Sequence, residues 1–274
     1  MLCVSTSGAL GRLINLPPPL TIWSRAAIAF VLLLVYAFLT KKSILLNFKK
    51  EGFSIFLSGI LMAAHWVTYF FALQWSSVAI GMLSLFTYPM ITLMLEPLFF
   101  TVSYQKRHLV LGIMILTGVY LLVPSFELNN TITHGVFMGI LSSLCYSLRN
   151  IIMKQKISSV DGSVLMLYQM GVTLIILLPA LSYFEVDSYI DKLPYLLILG
   201  VVTTAIGHTL FLTSFKKFSV STVSIISGIQ PIYGILLGII FLSEIPSFRS
   251  ILGGVLIILT VLIEQKSTHT TEEK

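Results

Sequence analysis

Two histidines stand in strongly apolar stretches: His65 in SIFLSGILMAAHWVTYFFALQW and His208 in LLILGVVTTAIGHTLFLTSF. An imidazole, with an unperturbed pKa of about 6.5, can hold a polar ligand and pass a proton near neutral pH. Trp66 adjoins His65, and Tyr69 follows one helical turn later on the same face. A lone histidine is usually a packed, hydrogen-bonded residue. Two at nearly matching places in two similar stretches point instead to a shared ligand site. More polar groups recur at helical spacing. Ser142, Tyr146, Arg149 and Asn150 share one helical face; Ser84 and Tyr88 precede Pro89, and Ser227 and Gln230 precede Pro231. Together they would form a polar, aromatic belt suited to a small amphipathic metabolite. Arg149 carries two readings. Snorkelling to the nearby water is the plainer one; facing the belt, it would favour an anionic or zwitterionic substrate.

The elements that must carry these residues follow from composition. With 56% apolar and 10% charged residues and a mean hydropathy of +0.96, the chain is not a soluble globular domain. Its apolar residues come in blocks of about 15–24, the length a helix needs to cross roughly 30 Å of hydrocarbon. Backbone groups in lipid must be satisfied internally, so the blocks are read as helices. Clear spans are expected near 20–40, 54–74, 77–100, 108–123, 135–153, 163–184, 193–215, 220–242 and 248–263, after a short apolar stub, MLCVSTSGALGRL. The fold class is an all-α polytopic membrane protein.

The loops are short, so none could hold a soluble domain. Lysines and arginines gather in alternate loops, such as Lys41, Lys42, Lys49 and Lys50, while Glu185, Asp187, Asp191 and Glu244 gather in the others. Counting the stub, the positive-inside rule gives ten spans with both termini in the cytoplasm. Arg12 and Arg25 then fall near the outer interface. The net charge of +6 reflects this loop chemistry and not nucleic-acid binding. The start lacks the basic segment of a secretory signal. Cys3 and Cys145 are isolated in apolar context and form neither a disulfide framework nor a metal motif.

The chain also repeats. Pro89 and Pro231 lie 142 residues apart, and the same shift carries Gly112 onto Gly254 and Ser77–Val78 onto Ser219–Val220. Two five-helix units are expected, over residues 1–124 and 125–264, with a disordered polar tail over 265–274. Five is odd, so the second unit is inverted, a recurrent plan of secondary transporters with the site at midplane. The first span is about eight residues shorter than its partner, which suggests a start upstream of Met1 or a mismatched span. Pro89 and Pro231 should kink equivalent helices. Gly234 and Gly238 form a GxxxG that lets two backbones approach. These four residues serve tight packing, gating between two states, or both.

The stretches HWVTYFFALQWSSVAIGMLSLFTYPMITLMLEPLFF and GHTLFLTSFKKFSVSTVSIISGIQPIYGILLGIIFLSE resemble the EamA-type branch of the drug/metabolite transporter superfamily. The resemblance runs from Pro17 to Ile263. The second unit keeps the family's acidic residue, Glu244, where the first has Val102 and offers Glu96 earlier. The resemblance implies ten helices, a central cavity and ATP-independent export or exchange of small metabolites.

No phosphate-binding GxxxxGK[ST] loop, hydrolase motif or selectivity-filter signature occurs, so the chain is not read as an enzyme or channel. The expectation is a secondary transporter of a small organic metabolite, an amino acid or relative among them, working by alternating access with protons as coupling ion. Glu96 is expected to pair with Lys106 or Arg107. No cofactor, metal or nucleic acid is expected; the partners are substrate, proton and membrane lipids, with the chain monomeric or homodimeric in a bacterial inner membrane. Alternatives are a membrane sensor or assembly subunit without net transport, and a flippase for lipid-linked substrates, which would show a lateral groove.

Overall fold

A computed structural model describes residues 1–100, 107–122 and 129–272. Those residues are helical throughout their ordered elements and contain no strand. The main helices are α1 (Leu2–Ile14), α2 (Pro18–Leu39), α3 (Phe48–Trp75), α4 (Val78–Phe99) and α5 (Arg107–Leu122). They are followed by α6 (Thr131–Lys156), α7 (Gly162–Ile176) and α8 (Leu193–Ser214), then by α9 (Val220–Ile226 continued by Gln230–Leu242) and α10 (Phe248–Glu272). Six of these are long and apolar enough to cross a membrane: α2, α3, α4, α6, α8 and α9. The other four contain shorter apolar helices.

Local chemistry sets the boundaries. Pro17 precedes α2, and prolines occupy its first turn, where the missing N–H costs nothing. Ser77, Asn130 and Asp161 each cap a helix by accepting a backbone N–H, from Ile80, Ile132 and Ser163 respectively. Asn15 and Ser243 end α1 and α9 in the left-handed conformation. Within α10 no proline or glycine follows Gly254, and the helix runs on to Glu272, into the polar segment read from composition as a disordered tail.

Polarity is distributed as lipid demands. Phe38, Leu39, Leu116, Ile240 and Phe241 point outward, while Ser58, Ser84, Thr92, Ser142, Ser147 and Asn150 are buried. The first five helices pack on the second five through matching pairs. Helices α2 and α7, α4 and α9, and α5 and α10 meet each other directly; α3 meets α6 as α1 meets α8, and α1 meets α9 as α6 meets α4. Small residues permit the closest crossings. A Cβ on Gly253 would lie 2.6 Å from the Gly118 carbonyl oxygen, and one on Gly238 3.1 Å from the Val78 side chain. Gly234 likewise faces Met82, so the GxxxG of α9 is the seat of the α4–α9 crossing.

The expected kinks are breaks in the same place in both units. Helix α4 interrupts at Phe86–Thr87 and restarts at Tyr88 with Pro89 in the new first turn. Helix α9 tightens into a 3₁₀ turn at Ser227–Ile229 and restarts at Gln230 with Pro231 in that position. A π-helical stretch, Leu199–His208, interrupts α8.

Candidate functional site

Helices α1, α3, α4, α6, α8 and α9 converge on one small chamber. Its walls include His65, Trp66, Tyr69, Tyr88, Tyr146, His208 and Gln230, seven residues singled out from sequence, joined by Val4, Ser7, Met82, Leu85 and Phe86. Both histidines are buried, at 3% exposure. The rings form a ladder. His65 stacks on Tyr146 at 4.3 Å and lies parallel to Tyr69 at 6.3 Å; Tyr146 continues to Phe211 at 5.7 Å and meets Tyr88 edge-on at 4.9 Å. Trp66 meets His208 edge-on at 5.2 Å. The space between these walls is about 20 Å³, room for one water and far below the ~300 Å³ of an ordinary ligand pocket.

The hydrogen bonds assign a tautomer. Ser142 Oγ donates to the His65 carbonyl at 2.7 Å, so it accepts from His65 Nδ1 at 2.8 Å. The Ser142 carbonyl, 3.2 Å from the same nitrogen, can only accept. Nδ1 therefore carries the proton and leaves Nε2 as the basic atom. His208 Nδ1 has no protein partner.

Other expected residues lie around the chamber without lining it. Ser84 donates back to the Ile80 carbonyl at 2.7 Å, and Ser227 bonds the Tyr88 hydroxyl and the Ser224 carbonyl. Arg149 does not snorkel. It is fully buried; Nε and Nη2 donate to Gln169 Oε1 at 2.9 and 2.7 Å, and Nη1 to Asn150 Oδ1 at 2.9 Å. The amides of α6 and α7 give it a ready-made seat, which costs less than stretching to the surface. Arg149 and Asn150 are thus partners of each other and of Gln169, away from the chamber walls. Lys106, and the side chain of Arg107, expected near Glu96, lie outside the described residues.

Sequence reasoning missed Arg25. It was placed near the outer interface, yet it is 0% exposed and sits with Cζ 4.0 Å from the Trp66 ring centroid and 5.7 Å from that of Phe70. The available signal was the triple proline, which starts α2 two turns earlier. Val4 and Ser7 were missed because the stub gave no polar pattern.

Charged ties close both ends of the bundle. At one, Arg12 Nε pairs with Glu244 Oε1 at 2.8 Å, Nη1 donates to the Gln74 carbonyl at 3.1 Å, and Glu244 Oε2 accepts from Val78 N at 2.8 Å. At the other, Lys156 pairs with Glu51 and Lys42 with Asp161, each at 2.8 Å, while Lys154 donates to the Phe215 and Phe218 carbonyls. Burial opposes ionisation of both Lys42 and Asp161, but their mutual hydrogen bond outweighs it. The lysine is raised, and the carboxyl, also bonded by Ser163, is held down at about 2. No group of three or more potential metal ligands occurs among the described residues.

The model of the EamA-like transporter family matches this chain twice, over residues 1–123 and 133–263. An uncharacterized transporter of Archaeoglobus fulgidus is 27% identical over 72% of this chain and 70% of its own length. The pseudopaline exporter CntI of Pseudomonas aeruginosa strain UCBPP-PA14 is 23% identical over 90% of this chain and 86% of its own. A solved crystal structure superposes with a TM-score of 0.70, covering 98% of both chains at 15% identity, a likeness of fold.

Proposed function

This chain belongs to the EamA-like transporter family, and on that premise we propose that it exports a small organic metabolite as a secondary transporter by alternating access. One observation carries this reading: two matching halves enclose a polar, aromatic chamber midway along their longest apolar helices. The symmetric pairing of helices supports ten spans in two inverted repeats. Both termini then face the cytoplasm of a bacterial inner membrane, by the distribution of lysines. A metabolite needs far more than 20 Å³, so the walls must part to admit it, and the paired breaks before Pro89 and Pro231 are where they would flex. The name of the exporter CntI supports outward movement. His65 Nε2, the basic atom facing away from Ser142, is the candidate proton acceptor for coupling.

The test is a metabolite profile of cells and medium for strains with the protein overproduced, deleted, or carrying His65→Ala. A compound should accumulate outside with the intact protein and not with the variant. No difference in any comparison, with the protein confirmed in the membrane, would overturn export. A second reading, flipping of a lipid-linked substrate, has one observation behind it. A groove of about 490 Å³ lies between α2 and α8, lined by the outward-facing Leu32, Ile206 and Leu210 and by Lys42 and Asp161 at its polar end.

A further inference from the structure

Two arginines are sunk completely into the helices, and the protein treats them differently. Arg149 has a side-chain acceptor for each of its three nitrogens. Arg25 has one: Nε donates to Thr204 Oγ1 at 2.9 Å, while Nη1 and Nη2 have no hydrogen-bond partner. Among the described residues no carboxylate pairs with it. The guanidinium lies over the ring of Trp66, whose indole Nε1 is also buried and unpartnered, and Trp66 in turn touches His208, whose Nδ1 is unpartnered too. A buried donor left unpaired is costly, and more so when charged. A cation–π contact does not replace a counter-charge in a lipid-embedded interior. Arginine's fork presents two parallel N–H groups that fit one carboxylate.

We propose that Arg25 is the anion subsite of the chamber, and that it takes the carboxylate of the substrate through Nη1 and Nη2. Arg25 stands behind the chamber wall, its guanidinium against Trp66, which together with His208 lines the ring-walled space. When the walls part, Nη1 and Nη2 meet the carboxylate while that space receives the apolar part of the molecule. One guanidinium matches the single charge of a carboxylate, whereas a doubly charged phosphate group would call for more cations than the site supplies. Among the described residues that line the chamber there is no Asp or Glu, so they offer no counter-charge to a bare organic cation. The substrate class is a small carboxylic acid, amino acids included, with an apolar or aromatic body. This assignment rests on the transporter reading for its physiological meaning, but the binding site stands or falls separately.

Purified protein in detergent is tested by thermal shift with 3-phenylpropionate, L-phenylalanine, acetate, the neutral isostere 3-phenylpropanamide, tetraethylammonium and chloride. In parallel, the secreted metabolites are compared between wild type, Arg25→Leu and Arg25→Lys. The carboxylates should raise the melting temperature, and the amide and the cation should not. Arg25→Leu, still folded, should weaken the carboxylate response about 10- to 100-fold, with Arg25→Lys between the two. Every compound whose export depends on the protein should carry a free carboxylate and be lost with Arg25→Leu. Export of a compound without one, export indifferent to Arg25, or equal protection by chloride would overturn the subsite while leaving transport intact. Carboxylate binding through Arg25 with no exported compound would keep the subsite and overturn the export reading. Silence in both assays would overturn both.

Discussion

The two copies of the unit share their packing and differ in their charges. Arg12 and Lys154 lie 142 residues apart, and each reaches from near the end of its copy's first helix to carbonyls at the end of the third: Gln74 within α3 for Arg12, and Phe215 and Phe218 just past α8 for Lys154. Arg12 additionally meets Glu244, whose other oxygen caps α4. Lys154 has no such carboxylate by the same shift, because Val102 stands there. The opposite end is closed instead by Glu51–Lys156 and Lys42–Asp161. The buried arginines divide in the same way. Arg149 in the second copy is satisfied, and Arg25 in the first is not. A repeated scaffold thus holds two ends and two interior cations under different terms, so that each can respond separately.

The sharpest way to break this contrast is to remove both arginines in turn. Arg149→Leu strands Gln169 and Asn150 in the interior, and should cost about 3 kcal/mol. The apparent melting temperature in detergent should then fall by roughly 5–10 °C. Arg25→Leu gives up a cation–π contact and one hydrogen bond but relieves an unpaired charge, so its net effect should stay within about 1 kcal/mol. Equal losses would erase the distinction. Next in size is the closed end: Glu244→Gln loosens Arg12 and uncaps α4, for about 1–2 kcal/mol. A cysteine at Ser7 should then react faster with a membrane-impermeant maleimide added from outside, and Glu244→Asp, which keeps the carboxylate, should label more slowly than Glu244→Gln. Unchanged labelling would show that this pair does not hold the end shut.

The smallest effect concerns Lys42–Asp161, whose side chains are 28% and 37% exposed. Asp161 is depressed from 3.8 to about 2, so its contribution is present above about pH 4 and lost as pH falls through about 2. Solvent screening keeps it below about 1 kcal/mol. Melting curves of wild type and Asp161→Asn should converge at the acid end and differ slightly at neutral pH.

Much of this was legible in the sequence because lipid imposes a length. The expected spans agree with the helices to within a few residues at most boundaries, and the two prolines announced the matching breaks in α4 and α9. Six of the ring-bearing walls, His65, Trp66, Tyr69, Tyr88, Tyr146 and His208, were legible because polar rings stand out in an apolar run, whereas Phe86 did not. What distance along the chain hides is depth and partnership. Arg25 looked interfacial by the pattern of loop charges, and only the position of the α2 start sinks it. Arg149 looked free to snorkel because its acceptor, Gln169, sits on another helix, 20 residues on. Nothing in the stub hinted that Val4 and Ser7 would form part of a wall.

Trp66, a wall of the chamber, has an arginine over its ring and meets the His208 ring in a T-shaped contact. The protein has three tryptophans, so replacing Trp23 and Trp75 by phenylalanine would leave a single indole there. Its emission would report solvent entry and the approach of a quencher without any attached dye. The chamber carries its own optical gauge.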